Sequence, residues 1–569
     1  MRSSNTAIGI AGALAMFVFY IAGGVGVGLF LLMRQRAVVW RQPVFWGTLV
    51  AIAQTLASIN SWPLVWMDYD TALSSQAFLA QQIAVIALGL VVNVFLFTLS
   101  FMAAESLTRR AFPQQPQLWR LWSRDAAASR EVAGATAGAY LLVPLFIAYD
   151  VALYVFATRS LGWWTPSEAL FTPDVLAAYA PWFTAIAQSF QAGFWEESLF
   201  RAVPIAGAAL IGDRFGGRRW WIAGAFVVQA LIFGAGHAPY PTQPAYARPV
   251  ELILPSIGFG LLYLQFGLLP GIILHFTFDA FWFAIPLFAS NAPGIRIQQI
   301  LIVAIGLTPL WIVVANRLCA GAWRALPAAL TNAGWQPTPA KAEQSAGAAA
   351  PHDVTISPSR LRSIVAAGVI ALAATIAITV IAPGERQPLR ATRTAVAAEA
   401  RRTVPAAAGP GWRFLPVPDD RPPLANRFVW QTAGRSTYAS LAGTYLDSPG
   451  WTVFVRTFQG DVAERAESWT VHLDPDGAVR RVSHELPEAR PGATLDVDAA
   501  RRLAAQTMRD RFGLDAPNLN EVSVVPSKLP ARTDWTVTDR AVSQSLPQGE
   551  ARASVRIAGD EIADARRFV

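Results

Sequence analysis

The sequence P-W-F-T-A-I-A-Q-S-F-Q-A-G-F-W-E-E-S-L-F-R, residues 181–201, places three charged side chains inside an apolar run that continues to Ile211. These are Glu196, Glu197 and Arg201. A run of this length is typical of a membrane-spanning helix. Ionisable groups at membrane depth are costly and are kept mainly where they have a function. The stretch therefore predicts both a membrane fold and a functional site within it.

The composition of the whole chain agrees with a membrane protein. Of the 569 residues, 53% are hydrophobic and 15% are charged, and the mean hydropathy is +0.36, whereas soluble domains usually contain about 25% charged residues. The formal charge of +8 is carried largely by arginines in loops, so we expect no nucleic-acid partner. The single cysteine, Cys319, excludes an internal disulfide and a thiolate metal cluster.

Ten apolar runs are long enough to cross a bilayer. They lie at about residues 8–33, 43–60, 76–104, 132–157, 181–211, 220–238, 250–266, 269–290, 297–318 and 363–382. Only Gly267-Leu-Leu-Pro270 separates the seventh run from the eighth, which predicts a tight helical hairpin. We expect an α-helical polytopic membrane protein with about ten transmembrane helices and a C-terminal soluble α+β domain.

Arginine and lysine are distributed unevenly between alternate loops. The segments after the first, third, fifth and ninth runs are rich in them, whereas the opposite side carries only Arg2, Arg159, Arg248 and Arg296. Positively charged loops usually face the cytoplasm. We therefore expect an integral protein, in contact with the lipid bilayer of a bacterial plasma membrane, with its N-terminus and its C-terminal domain extracytoplasmic.

Changes in composition divide the chain into six parts. The parts are N-terminal transmembrane helices and a cytoplasmic loop (1–130), a core of transmembrane helices with the charged stretch (131–325), a linker rich in Ala, Pro and Gly (326–360), a last transmembrane helix (361–383), a partly ordered linker (384–425) and the soluble domain (426–569). The absence of hydrophobic periodicity in the first linker is typical of a flexible connection.

The soluble domain alternates strand and helix patterns. The turn D-P-D-G at 474–477 predicts a hairpin between strands at 468–473 and 478–483. Asp496 or Asp498 can cap a helix that ends at Phe512, before Gly513. Further strands are predicted at 451–458, 534–540 and 552–557. This succession resembles a PepSY-type module, a small helix-on-sheet fold that is often attached to membrane or secreted proteases.

Two of the five histidines lie in apolar runs. His237 ends F-G-A-G-H, four residues after Phe233, and His275 begins H-F-T-F-D, four residues before Asp279. A spacing of four residues places two side chains on one face of a helix. Three separate runs are therefore expected to project polar groups along a stripe at membrane depth.

The charged groups of the three runs allow two kinds of chemistry. Glu197 can pair with Arg201, because a buried carboxylate without a partner is costly. The residues that remain for chemistry are Glu196, His237, His275 and Asp279. They could activate a water molecule and stabilise an oxyanion, or they could bind zinc with an open position for water. Hydrolysis by activated water fits better than a nucleophile, because Ser198 has no nucleophile motif around it.

Three motifs in this order resemble the CPBP or ABI family of intramembrane proteases, which includes the eukaryotic prenyl-protein CAAX endopeptidase. The motifs are E-E-x-x-x-R (196–201), F-x-x-x-H (233–237) and H-x-x-x-D (275–279). The resemblance covers about residues 180–290. It implies an intramembrane endopeptidase of the metallo or glutamic type, which acts on a protein or peptide substrate in the membrane either without metal or with zinc.

By this resemblance, each motif residue has an implied role. Glu196 is the general base, Glu197 pairs with Arg201 and orients the site, His237 holds the water, and His275 with Asp279 forms the oxyanion side. Asn is familiar in the family at the position of Asp279, and an ionised Asp cannot donate a hydrogen bond. Asp279 is therefore protonated, orients His275 or is a metal ligand, and zinc ligands would come from Glu196, His237, His275 and Asp279.

Two non-peptidase functions are compatible with the same residues. One is a protease-like binding or immunity factor without activity, and the other is a proton-coupled transporter. A transporter is expected to show inverted repeats, which the sequence lacks. A pseudo-protease is expected to have lost a motif residue, and only the position of Asp279 is atypical. The peptidase is therefore the preferred prediction.

Overall fold

The structure is a computed structural model that describes residues 2–69, 73–161, 163, 173–240, 242–335, 358–381, 389–404, 409, 411–419, 424–462 and 464–569. Most of the predicted linker 326–360, with His352, lies outside the described residues. Within that linker, the described residues up to Trp335 pack on the membrane helices: Gln117 N donates to Leu330 O at 2.9 Å, and the Leu330 side chain is buried.

The predicted apolar runs are all helical where the structure describes them. The helices are α1 (Arg2–Ala15), α2 (Gly28–Arg34), α3 (Arg41–Asn60), α4 (Ser75–Ala111), α5 (Arg124–Ala127), α6 (Arg130–Ser160), α7 (Pro181–Gln191), α8 (Val203–Phe215), α9 (Arg218–Gly236), α10 (Ala247–Glu251), α11 (Ile253–Phe266), α12 (Leu268–Phe288), α13 (Ile295–Gly306), α14 (Thr308–Ala320), α15 (Pro358–Ile381), α16 (Arg393–Thr403), α17 (Leu424–Leu441) and α18 (Val497–Phe512). A π-helical segment, Met16–Val27, joins α1 to α2, and two more, Ala192–Glu196 and Ser198–Ala202, lie between α7 and α8.

The membrane part is an integral helical assembly, as predicted. Among the described residues, six helices are long and apolar enough to cross a membrane, or up to eight if each of two bent pairs, α3 with Trp62–Asp68 and α13 with α14, is one span; this is fewer than the ten predicted. The run 181–211 is divided among α7, α8 and the π-helical segments between them, and the described apolar part of the run 363–382 is shorter than 18 residues. The predicted hairpin turn is present, because α11 ends at Phe266 and Gly267 adopts a φ of +78° before α12. Residues 268–270, predicted as part of the turn, belong to α12.

The N-terminal helices are part of the same hydrophobic core as the helices that carry the predicted site. Tyr20, Phe101 and Val203 belong to one buried cluster with Ile273 of α12. Residues 1–130 and 131–325, which were predicted as separate parts, therefore share one hydrophobic core. Helices that are distant in sequence pack together here because each has an apolar face that needs a partner.

The C-terminal domain consists of two similar units, each with a helix and a four-stranded antiparallel sheet. The strands are β1 (Trp412–Asp419), β2 (Gly450–Thr457), β3 (Ser468–Leu473), β4 (Val479–Glu485), β5 (Leu519–Lys528), β6 (Thr533–Ala541), β7 (Arg552–Ala558) and β8 (Glu561–Phe568). The sheet orders are β1-β2-β3-β4 and β5-β6-β7-β8. Helix α16 packs on the first sheet and α18 on the second, and Arg481 of β4 joins the sheets through the carboxylate of Asp564 at 2.7 and 2.9 Å.

The local predictions for this domain agree with the structure, but its predicted start does not. The hairpin at 474–477 is present, and the Asp496 side chain caps α18 by accepting from Ala499 N at 2.7 Å. The stretch 384–425, predicted as a partly ordered linker, contains α16 and β1. Val396 of α16 is fully buried against the first sheet, so this stretch belongs to the domain and was misread because a short, Arg-rich helix has little hydrophobic periodicity.

The C-terminal domain rests on one end of the membrane helices. The Phe458 ring lies 4.7 Å from the Trp66 ring, next to the α3–α4 connection. Leu389 O accepts from Ser290 Oγ at 2.7 Å, directly after α12. The domain therefore contacts the ends of the helices that the charge distribution places on the same side as the C-terminus.

Candidate active site

The charged stretch lies in a helix that changes its winding at the site. Residues 192–196 and 198–202 are π-helical, so Glu196 and Arg201 lie in widened turns between α7 and α8. Such π-helical turns are rare and are frequent at functional sites. The widening shifts side chains relative to an α-helix, so the spacing of residues in this stretch alone does not determine which partners they meet.

Glu197 and its neighbour Arg201 are the most enclosed residues of the site. The Glu197 side chain is 1% exposed, and its Oε1 is 2.8 Å from Nδ1 of His275 on α12. Its Oε2 is 3.7 Å from Nε of Arg201, which is an ion-pair distance but not a hydrogen bond. The predicted pairing of Glu197 with Arg201 is therefore present as a charge contact, whereas the hydrogen bond goes to His275.

A glycine on α12 allows this close approach. A Cβ atom on Gly271 would lie 3.1 Å from Oε2 of Glu197. Gly271 is one helical turn before His275, on the face that meets the charged stretch. A side chain at this position would push the carboxylate or the helix away, so Gly271 helps His275 to reach Glu197.

Arg201 is held by aromatic rings. The guanidinium carbon is 4.5 Å from the centre of the Phe233 ring and 5.3 Å from the centre of the Phe259 ring. None of its three nitrogens makes a hydrogen bond with the residues that the structure describes. Cation–π contacts, which strengthen where the cation is desolvated, and the charge of Glu197 therefore stabilise this buried cation.

His237 comes directly after the last residue of α9. Its Nδ1 is 2.8 Å from the carbonyl oxygen of Phe233, and its ring lies 4.4 Å from the Phe233 ring. A carbonyl only accepts a hydrogen bond, so Nδ1 carries a proton and donates. The lone pair of Nε2 is then available in the neutral imidazole, which fits the predicted role of holding a water molecule.

Glu196 and Asp279 face the second nitrogen of His275. Nε2 of His275 is 3.9 Å from Oε2 of Glu196 and 3.7 Å from Oδ2 of Asp279. The two carboxylate side chains are 17% and 19% exposed, whereas His275 is 8% exposed. Oε2 of Glu196 makes no hydrogen bond with a described residue. This oxygen itself lies buried beside His275, although the Glu196 side chain as a whole is partly exposed.

The structure thus brings five of the predicted site residues together, and it places His237 beside them. The Phe233 ring makes this connection, because it also lies 6.3 Å from the His275 ring. The predicted roles, Glu196 as the base and Glu197 with Arg201 as the brace, stay predictions; the Glu197 side chain is 1% exposed and the Glu196 side chain is 17% exposed.

The predicted zinc ligands do not form a recognisable metal centre. Among the described residues, no group of three or more His, Cys, Asp or Glu side chains is arranged to hold a metal ion. His275 also has one nitrogen engaged by Glu197. Zinc binding by these residues remains a prediction.

Several residues near the site have no signal in the motifs. Tyr20, in the π-helical segment Met16–Val27, is 2% exposed and packs edge-on against Phe200, with the ring centres 5.4 Å apart. Arg248 lies over the Tyr240 ring at 4.8 Å. Only a buried polar group in an apolar run could have drawn attention to Tyr20, and Arg248 is indistinguishable from an ordinary loop arginine in the sequence.

Comparison with known families supports the motif-based assignment. Residues 178–281 match the family model described as Type II CAAX prenyl endopeptidase Rce1-like. This segment contains all six predicted site residues, and the match confirms the resemblance to CAAX-type membrane proteases. The PepSY-like assignment of the C-terminal domain remains a prediction. No curated protein and no solved structure matches the chain.

Proposed function

We propose, from the premise that residues 178–281 are Rce1-like, that this protein is an intramembrane endopeptidase in which Glu196 activates the attacking water. The observation that carries the proposal is the arrangement around His275. One of its nitrogens is hydrogen-bonded to the enclosed carboxylate of Glu197, and the other faces the partly exposed carboxylate of Glu196, whose Oε2 has no hydrogen-bond partner among the described residues. A structural ion pair needs the first contact but not the second.

Glu196 is proposed as the general base. A base must lie within hydrogen-bond reach of the proton that it takes. The Glu196 side chain is 17% exposed, against 1% for Glu197, and its Oε2 has no hydrogen-bond partner among the described residues. Its 3.9 Å separation from Nε2 of His275 leaves the oxygen free of a direct bond to that ring. A water molecule that donates to Glu196 would therefore lie close to His275 as well.

His275 is proposed as the donor that stabilises the oxyanion. In the imidazolium form of His275, Nδ1–H donates to Glu197, and this hydrogen bond orients the ring. Nε2–H can then donate to the oxygen of a tetrahedral intermediate. Asp279 lies 3.7 Å from Nε2 of His275, so an Asp at this position can orient the donor without having to donate itself.

The proposed hydrolysis of the peptide bond has two steps. In the first step the water oxygen bonds to the carbonyl carbon of the substrate, one water proton moves to Glu196, and His275 stabilises the oxyanion. In the second step the C–N bond breaks as the proton passes from Glu196 to the leaving nitrogen, and the products are a carboxylic acid and an amine. His237, through Nε2, holds the water in the first step.

The proposed substrate is a protein or peptide in the membrane, and a prenylated C-terminus is the first class to test because of the family match. The test uses the purified full chain in proteoliposomes with a farnesylated peptide that ends in a CaaX sequence. The same peptide without the farnesyl group is the second probe. Mass spectrometry identifies the products and the cleaved bond.

We expect cleavage by the wild type and loss of cleavage, by a factor of at least about 10³, in Glu196→Gln, His237→Ala and His275→Ala. Ser4→Ala, at an exposed position of α1, serves as the control. Cleavage that survives in Glu196→Gln would disprove the role of that residue. Proton flux across the liposomes without any cleavage would instead support the transporter.

A further inference from the structure

The turn that follows His237, residues 237–240 and 242, is held by two side chains from other helices. We propose that Asn5 of α1 and Arg248 of α10 are positioning residues that set the place of His237 in the active site. The inference rests on the proposed peptidase function. It extends the active site to the first helix of the chain, which lies outside the segment 178–281 that matches the family.

Asn5 binds the backbone of this turn. Its side-chain nitrogen donates to Ala238 O at 2.9 Å and to Thr242 O at 3.2 Å, and Asn5 is only 5% exposed. Gln243 Nε2 donates in turn to Oδ1 of Asn5 at 2.8 Å. One amide therefore satisfies carbonyl groups on both sides of Tyr240, and these carbonyls would lose their donor if Asn5 were apolar.

Helix α1 reaches the turn because it packs directly on the end of α9. A Cβ atom on Gly12 would lie 2.6 Å from the backbone nitrogen of Gly236, the residue before His237. Asn5 and Gly12 are seven residues apart and so share one face of the helix. The close contact between the backbones of α1 and α9 fixes the position of Asn5 along the axis of α1 relative to His237.

Arg248 supports the turn from the opposite side. Its guanidinium carbon is 4.8 Å from the centre of the Tyr240 ring, and the Tyr240 ring lies 5.9 Å from the His237 ring at 30°. Arg248 pairs with Glu251, which accepts a hydrogen bond from Tyr154 of α6. The row Glu251, Arg248, Tyr240, His237 therefore connects the ring of His237 to the rest of the membrane core.

Such a polar cluster is costly in a membrane protein and is expected to have a function. His237 follows the last turn of α9, and within the described part of the chain its side chain hydrogen-bonds only to Phe233 of that same helix. The hydrogen bond orients the ring relative to α9 but does not place the end of α9 relative to His275. The Phe233 ring, which contacts both His275 and Arg201, places α9 beside the site. Asn5 and Arg248 hold the turn at the end of α9 from other helices, and a displacement of about 1 Å in an active site can reduce the rate about 100-fold.

The first test replaces Asn5 with Leu, which has a similar shape but no donor. We expect kcat for the cleaved CaaX peptide to fall about 10- to 100-fold, with KM within about threefold and the melting temperature close to that of the wild type. Asn332→Leu is the matched control, because Asn332 is also buried and donates to a backbone carbonyl, Phe112 O at 3.0 Å, away from the site. This control should keep the wild-type kcat.

The second test, Arg248→Lys, keeps the positive charge but loses the planar contact with the Tyr240 ring. We expect the same selective decrease in kcat, and this variant decides the question if Asn5→Leu does not fold. The proposal is overturned if Arg248→Lys keeps the wild-type kcat and Asn5→Leu either keeps the wild-type kcat or fails to fold. Failure of the wild type to cleave either peptide would instead disprove the proposed function.

Discussion

The two adjacent glutamates provide the sharpest prediction, because the structure gives them opposite duties. The Glu197 side chain is 1% exposed and accepts a hydrogen bond from His275, whereas the Glu196 side chain is 17% exposed and makes no hydrogen bond through Oε2 with a described residue. Replacement of each by Gln keeps the shape and removes the charge. We expect Glu197→Gln to lower the free energy of unfolding strongly and Glu196→Gln to leave it nearly unchanged while abolishing cleavage.

The expected size follows from the distances. Two unit charges 3.7 Å apart, as in Glu197 and Arg201, attract each other by about 4–5 kcal/mol at an effective dielectric constant of about 20. Removal of one partner of a buried pair typically costs about 3–5 kcal/mol. In Glu197→Gln the amide oxygen can still accept from His275, but the amide nitrogen would then face the guanidinium, so we expect a loss of about 3–5 kcal/mol.

Stability is measured by titrating SDS into protein in detergent micelles and following the fluorescence of the tryptophans. Cleavage of the CaaX peptide is measured on the same preparations. Glu196→Gln should unfold within about 1 kcal/mol of the wild type, since it loses no hydrogen bond with a described residue. Equal stability of Glu197→Gln and the wild type, or equal destabilisation by both substitutions, would refute the assignment of brace and base.

Three further predictions concern packing, domain contact and metal. Gly271→Ala should reduce kcat about tenfold, because its Cβ would lie 3.1 Å from Oε2 of Glu197. Gly207→Ala is the control and should keep the wild-type kcat, because a Cβ there would have no atom within 4 Å. Equal kcat values for the two variants would contradict the close approach. Phe458→Ser should release the C-terminal domain from Trp66 and increase the rate of trypsin cleavage within α16. Val522→Ser, at an exposed position of β5, is the control and should not increase this rate. An unchanged rate of trypsin cleavage in Phe458→Ser would count against the contact between the domain and Trp66. Metal analysis of the active wild type and of His275→Ala should find the same zinc content in both. If the wild type holds one zinc per chain and His275→Ala loses it, the mechanism without metal is overturned.

Local patterns in the sequence were sufficient for the helices and for part of the C-terminal domain. The turn at 474–477 and the cap at Asp496 were predictable because a turn or a cap depends on a few neighbouring residues. The stretch 384–425 was misread, since α16 and β1 are stabilised by packing against β2 and not by their own periodicity. Val396 is buried by residues that are distant in the sequence, so its burial leaves no signal in the composition around it.

The sequence by itself determined the membrane class, the three motifs and the residues that carry the site, because hydropathy and spacing within a helix are local properties. Only the tertiary structure decided that Glu197 bonds to His275, 78 residues away, more closely than it pairs with Arg201. It also decided that Asn5 binds the turn after His237, 233 residues from Ala238. The physical reason is that such contacts depend on how helices pack against each other, and a single helix does not specify which neighbour will cover its polar groups.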